Sequence, residues 1–109
     1  MSRQDGVLRV VLTGRWFDMI ESGEKLEEYR EGSAYWAERL VAGMYTDGQM
    51  RFHPYHTIVA SRGYTKRTLT RKIKRIRWGT PRPEWSGDTV TGECFVVELE
   101  ETDRAILPE

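Results

Sequence analysis

The chain has 109 residues, and its 17 Lys and Arg residues balance 17 Asp and Glu residues, so the formal net charge is zero. With 39% hydrophobic and 31% charged residues it has the composition of an average globular protein, which excludes disorder along the whole chain, a collagen-like repeat and a coiled coil. A chain of this length is expected to form one domain over residues 1–109. No apolar run approaches the roughly 20 residues of a membrane helix.

The amino terminus and the cysteine content indicate the compartment. The first six residues, MSRQDG, lack the apolar segment of a secretion signal, and the single Cys94 has no partner for an internal disulfide. We therefore expect a cytoplasmic protein. His53 and His56 have no Cys or carboxylate beside them, so neither a metal site nor a cofactor is expected. The oligomeric state has no signal in the sequence, and a monomer is the default expectation.

Positive and negative charges are segregated along the chain. Residues 1–47 carry nine acids and six bases, residues 48–83 carry ten bases and no acid, and residues 84–109 carry eight acids and only Arg104. The basic block is either a solvated face or a surface for the phosphate backbone of a nucleic acid, and charge alone favours neither. Because the molecule is neutral overall, we expect a small ligand or a short strand in a local cleft rather than a long duplex.

The first thirty residues predict a strand, a short helix and a charged segment. Val7–Leu12 is rich in β-branched residues and predicts a strand that is buried on both faces. Thr13 is placed to cap a following helix, which Gly23 ends in the left-handed conformation. The segment Lys25–Arg30 is too charged for a central strand, so we expect it at a sheet edge or a pocket rim.

The middle of the chain predicts a second helix and then several strands. Ser33 is placed to cap this helix, and Gly43 is expected to end it. Met44–Tyr55 contains turn residues and predicts a turn or hairpin rather than a long element. Thr57–Ala60 predicts another strand.

The last part of the chain completes the predicted sheet. Thr68–Trp78 predicts a long strand with a bulge, because neither of its parities is cleanly apolar. Thr80–Pro83 breaks the structure, and the following strand is expected to direct Phe95, Val97 and Leu99 into the core. We therefore predict an α+β fold, a small mixed β-barrel of about five or six strands with two or three flanking helices.

The segment Gly23–Arg30, GEKLEEYR, carries the densest chemistry of the chain. Its Gly23, Lys25, Glu28 and Arg30 match the G-x-K-x-x-E-x-R signature of the ASCH family, which this chain resembles. The similarity continues through Trp16–Ile20, Tyr35-Trp36, Gly63-Tyr64, Pro83–Trp85 and Phe95–Leu99. It covers nearly the whole chain and points to the small ASCH proteins common in bacteria and their phages. The resemblance implies a PUA-like β-barrel with a cleft that recognises RNA or a modified nucleoside.

The spacing of this motif sets a condition on its geometry. In an extended strand Glu28 and Arg30 lie on one face and can pair, whereas Lys25 has the opposite parity. All three converge only if Lys25 lies in the turn before the strand, where Gly23 permits a sharp change of direction. A desolvated Lys25 beside Arg30 would suit a base or nucleophile, whereas a Lys25 paired with Glu28 would stay cationic and bind phosphate or carbonyl. The residues alone leave both open, together with a purely structural ion-pair cluster.

The resemblance also implies two hydrolytic activities. ASCH amidohydrolases deacylate 4-acetylcytidine with the motif Lys and with a Thr at the position of Glu28, where this chain has a carboxylate. Other family members are reported as ribonucleases, in which Lys25 would polarise the phosphate while Glu28 acts as base. Glu84 is the candidate for a remote acid, with an ordinary loop carboxylate as its alternative. A protein-interaction module with a basic sheet face is the alternative from another class.

Aromatic and basic residues near the motif extend the predicted site. Trp16 and Trp36 lie on apolar helix faces and are expected in the core. Three other aromatic residues, Tyr64, Trp78 and Trp85, lie beside Gly or Pro and near the basic strand, where they suit base stacking. The predicted ligand-binding residues are Gly23, Arg30, Tyr64, Lys72, Lys74, Arg75, Trp78 and Trp85, and the candidate catalytic residues are Lys25, Glu28 and Glu84.

Overall fold

The computed structural model describes residues 5–87, 90 and 92–101. In chain order the elements are β1 (Val7–Leu12), α1 (Gly14–Ser22), β2 (Glu27–Arg30), α2 (Ala34–Leu40), β3 (Val41–Met44), β4 (Met50–Phe52), β5 (Thr57–Arg62), β6 (Thr68–Gly79), α3 (Pro83–Ser86) and β7 (Cys94–Leu99). The predicted α+β class is confirmed, with seven strands and three helices in the described ranges. None of the described helices is long and apolar enough to cross a membrane.

A curled sheet of five strands, in the order β1-β5-β6-β7-β2, forms a half-barrel. β1 and β5 are parallel, and the other neighbouring strands are antiparallel. The two edge strands, β1 and β2, lie close enough for one side chain to connect them. Arg30 of β2 donates a hydrogen bond of 3.2 Å to the carbonyl of Val11 in β1. We call the gap between β1 and β2 the seam of the half-barrel. The two strands are not paired as neighbours in the sheet, and the Arg30 side chain crosses the gap between them. The remaining two strands, β3 and β4, form a separate hairpin.

The main core lies on one face of β1. Leu8, Val10 and Leu12 are buried there and pack with Phe17 of α1. The expectation that β1 is buried on both faces is wrong, since Val11 is 43% exposed. β1 is an edge strand, and its outer face borders the seam.

Most of the residues predicted to begin or end the first two helices do so in the structure. Gly23 ends α1 with φ of 89°, and the Ser33 side chain accepts a hydrogen bond from the first turn of α2, as predicted. Thr13 occupies the capping position of α1, but its side chain makes no capping hydrogen bond. Gly43 does not end α2, because the β-branched Val41 already adopts the extended conformation and leads directly into β3.

The predicted bulge in β6 is confirmed. The pairing of β6 with β7 shifts register between Ile73 and Arg75. Leu69 and Ile73 are buried before the shift, and Ile76 packs against the core after it, so the apolar parity changes at the bulge.

Both faces of β7 are buried. Phe95, Val97 and Leu99 belong to the main core, as predicted. Cys94 and Val96 face the other way and form a second, smaller cluster with Tyr29, which the half-buried Trp85 of α3 covers. The second cluster joins β2 to the segment that carries α3, and the candidate site lies beside it.

We expect Cys94 to be unreactive in the folded protein. Its side chain is completely buried, and burial raises the pKa of its thiol to about 11, so the reactive thiolate is scarce at pH 8. A maleimide added at pH 8 should give no adduct by mass spectrometry over a period in which the urea-unfolded chain is fully modified. Equal rates of modification in the two states would contradict this.

Candidate functional site

A cleft of about 200 Å³ lies at the seam of the half-barrel. The end of β1, Trp16 of α1 and most of β2 form three of its walls, and Trp85 and Val90 form the fourth. The segment of the fourth wall approaches α1 closely, because a Cβ atom at Gly87 would lie 3.4 Å from the Trp16 ring. The cleft is therefore bounded by four separate parts of the chain.

The three charged residues of the G-x-K-x-x-E-x-R motif meet at this cleft. Lys25 lies in the turn before β2, where its backbone N–H donates to the carbonyl of Met19 at 2.9 Å. Its Nζ lies 2.8 Å from Oε1 of Glu28, and the other carboxylate oxygen of Glu28 lies 2.8 Å from a terminal nitrogen of Arg30. The geometric condition derived from the sequence is met, since Lys25 precedes the strand and the other two residues lie on one face of it.

Lys25 is a buried cation with unused hydrogen-bonding capacity. It is 2% exposed, and its Nζ lies 4.7 Å from the centre of the Trp16 ring and 5.7 Å from that of Tyr29. A lysine ammonium has three donors, and within the described ranges Nζ donates only to Glu28. Within those ranges two donors therefore remain for a ligand, since Lys25 lines the cleft.

Arg30 connects the two sides of the seam. One terminal nitrogen reaches both Glu28 and the carbonyl of Val11, and the guanidinium lies 4.9 Å from the centre of the Trp36 ring. The Nε atom is buried and has no hydrogen-bond partner in the part of the chain that the structure describes. Buried donors are nearly always paired, so an unpaired one at a cleft points to a ligand acceptor.

Glu28 holds the two cations in place. It is 4% exposed, and each of its carboxylate oxygens is bonded to a different cation. Of the two arrangements that the sequence leaves open for Lys25, the structure has the one paired with Glu28. Such a carboxylate orients Lys25 and Arg30 toward the cleft.

Tyr29 fixes the wall that carries Trp85. Its hydroxyl donates to Oε1 of Glu27 at 2.6 Å and accepts from the backbone N–H of Arg82 at 3.0 Å. Burial and the bond to Glu27 raise the pKa of the Tyr29 hydroxyl, so it remains a neutral donor at physiological pH. β2 and the start of α3 are thereby joined next to the cleft.

The structure separates the other predicted site residues. Trp85 lines the cleft, while Tyr64 is 97% exposed and lies beside a neighbouring cavity. Glu84 is exposed, lies 3.9 Å from Arg82 and does not line the cleft, so it lacks the position of the predicted remote acid. Five further predicted residues also lie outside the cleft lining: Gly23, Lys72, Lys74, Arg75 and Trp78.

The basic block is partly neutralised by the acidic segments on either side of it. The pairs are Arg62 with Asp18, Arg67 with Glu21, and both Arg75 and Arg77 with Glu98. The hydrogen bond from Arg62 lowers the pKa of Asp18, which keeps that carboxylate ionised. Much of the charge segregation in the sequence is thus compensated within the fold, and the block attracts phosphate less strongly than the residue count indicates.

Trp16 forms a wall of the cleft, although its helical spacing predicts a core residue. Trp16 is 9% exposed, so it is buried like a core residue although it lines the cleft. Helical periodicity predicts burial in both cases and cannot separate a core side chain from a cleft wall. Val11 also lines the cleft without being predicted there, because a strand pattern does not show which strand will lie at an edge.

Replacing Gly23 by Ala should lower the free energy of unfolding by about 1–2 kcal/mol, because a Cβ atom is disfavoured in the left-handed conformation. Gly23→Asn is the matched control and should lose less, since Asn adopts this conformation more readily. Urea denaturation of the three proteins measures the difference. An alanine variant as stable as the unchanged protein would show that the left-handed turn is not required.

Comparisons with known proteins add no further constraint on this site. No family model matches the chain, and no curated protein or solved structure matches it either.

Proposed function

We propose that the cleft at the seam binds one nucleobase that bears carbonyl acceptors, as a nucleoside or within RNA, and that the chain is an ASCH protein. The observation that carries the proposal is the buried ammonium of Lys25, which within the described ranges donates only to Glu28 and lies 4.7 Å and 5.7 Å from the centres of the Trp16 and Tyr29 rings. In the same ranges Nε of Arg30, which lines the same cleft, has no partner.

The aromatic walls support a flat ligand. Trp16, Tyr29 and Trp85 all line the cleft. Stacking of a base on such a ring contributes about 1–3 kcal/mol, and it needs no particular base because every base has a π face. The rings therefore account for affinity, and the polar groups account for selectivity.

The polar groups support a ligand with acceptors. Lys25 and Arg30 offer donors, whereas both oxygens of Glu28 are already bonded. A buried donor left without a partner costs about 1–3 kcal/mol, which a ligand carbonyl oxygen would recover. Bases with ring carbonyls fit this arrangement better than adenine, which has none.

The size of the cleft supports a single base. Its volume of about 200 Å³ is below the roughly 300–1,000 Å³ of pockets for drug-sized ligands. One base fills such a space, and the sugar and phosphate would lie at its mouth.

The arrangement favours binding over hydrolysis. General base catalysis requires a carboxylate oxygen directed at the attacking water, and both oxygens of Glu28 lie 2.8 Å from cations. Glu84 lies outside the cleft lining, and a carboxylate replaces the Thr of the family's deacylases. We therefore assign Lys25 a binding role.

Titration with nucleosides tests this proposal. Because Trp16 and Trp85 line the cleft, their fluorescence should be quenched in a saturable way by cytidine, uridine, guanosine or 4-acetylcytidine, and less by adenosine. Absence of saturable quenching by every nucleoside at millimolar concentration, confirmed by calorimetry, would overturn the proposal.

A further inference from the structure

A second cavity, of about 410 Å³, adjoins the cleft on the outer side of the seam. The two spaces share Val11 and Arg30 in their linings. Arg30 therefore stands between them, with one terminal nitrogen bonded on the side of Glu28 and with its Nε unpaired within the described ranges. The continuity makes the second cavity an extension of the proposed site.

Exposed aromatic and basic side chains surround this second cavity. Tyr64 is 97% exposed in the turn between β5 and β6, and Tyr35 at the start of α2 is 55% exposed. The Tyr35 and Trp36 rings meet edge to face with their centres 5.1 Å apart, and Arg9 also lines the cavity. Single exposed aromatic side chains are common, but a group of them beside a cleft is typical of an interaction site.

We propose that the ligand is a single-stranded segment of nucleic acid, whose base in the cleft is followed by a nucleotide in the second cavity. Arg30 would contact the phosphate that joins the two, and Tyr64 would stack on the second base, since the Tyr35 ring is already covered by the Arg39 guanidinium. This inference rests on the function proposed above and extends it from a nucleoside to a strand.

The geometry favours a single strand over a duplex. Both spaces present rings to the flat faces of bases, and those faces are accessible only when the bases are unstacked. Arg30 is placed for a charge-assisted bond to a phosphate, for which a guanidinium is well suited. A free nucleoside would leave the second cavity and the exposed Tyr64 unused.

The test compares a nucleoside with a trinucleotide that contains it, in RNA and in DNA form, by calorimetry. We expect the trinucleotide to bind the unchanged protein about ten-fold more tightly or better, since one more stacked base is added. The ratio of the affinities for the RNA and DNA trinucleotides then identifies which of the two nucleic acids the site prefers. Equal affinity for nucleoside and both trinucleotides would overturn this inference and leave the proposed function standing, whereas no binding of any of them would overturn both.

Variants of two exposed tyrosines localise the effect. Tyr64→Ala should weaken trinucleotide binding about five-fold or more while leaving nucleoside affinity unchanged. Tyr45→Ala is the matched control, because Tyr45 is 56% exposed and lines a different cavity. Both side chains are exposed, so neither change should affect folding. An equal effect of the two variants on trinucleotide binding would contradict the placement of the second nucleotide.

Discussion

The Glu28→Gln variant should be less stable than the unchanged protein by about 3–5 kcal/mol, because it leaves the buried Lys25 and the partly buried Arg30 without their counter-charge. Lys25 and Arg30 both depend on this carboxylate, and Lys25 is 2% exposed. An amide of the same shape cannot neutralise either cation. Urea denaturation followed by circular dichroism gives the difference in the free energy of unfolding.

The control for this prediction is Glu21→Gln. Glu21 pairs with Arg67 at 2.6 Å, but both side chains are about half exposed. Exposed ion pairs typically contribute at most about 1 kcal/mol, so this variant should remain close to the unchanged protein. A similar, small loss in both variants would show that the Lys25, Glu28 and Arg30 cluster is not a desolvated charge network.

The Lys25→Met variant should bind nucleosides about ten- to a hundred-fold more weakly, because hydrogen bonds to a charged group contribute about 1.5–3 kcal/mol. Methionine fills much of the space of the lysine stem between Trp16 and Tyr29, and Glu28 keeps its bond to Arg30. The loss should therefore appear in affinity, with the circular dichroism spectrum preserved. Calorimetric titration with the best nucleoside measures it.

Lys72→Met is the control for this loss of affinity, since Lys72 is exposed on β6 and lies outside the cleft. It should bind nucleosides as the unchanged protein does. Equal binding by Lys25→Met and Lys72→Met would remove Lys25 from the site. Incubation of the Lys25→Met and unchanged proteins with 4-acetylcytidine adds a second readout: product formed only by the unchanged protein would make Lys25 catalytic, contrary to the binding role assigned here.

The motif geometry was predictable because it depends on strand parity and one turn. The two-residue spacing of Glu28 and Arg30 places them on one face, and Gly23 allows Lys25 to join them from the turn. The bulge in β6 was predictable for a similar reason. Neither parity of this strand is cleanly apolar, and a bulge adds one residue that shifts the apolar side chains from one parity to the other.

The rest of the site depends on contacts between distant parts of the chain. Trp16 has the spacing of a core residue in its helix, and only the approach of the segment containing Gly87 and Trp85 turns it into a cleft wall. The pairing of Glu98 with Arg75 and Arg77 likewise depends on β6 and β7 being neighbours. Sequence shows that bases and acids are segregated, but the sheet order decides which of them neutralise each other.

A crystal structure of the protein soaked with the nucleoside that binds best is the most direct test of the proposed cleft. We expect the base to lie against the Trp16 or Trp85 ring, with a carbonyl oxygen about 2.7–3.2 Å from Nζ of Lys25. A nucleoside bound elsewhere, with Lys25 still bonded to Glu28 alone, would contradict the assignment of the cleft as the binding site.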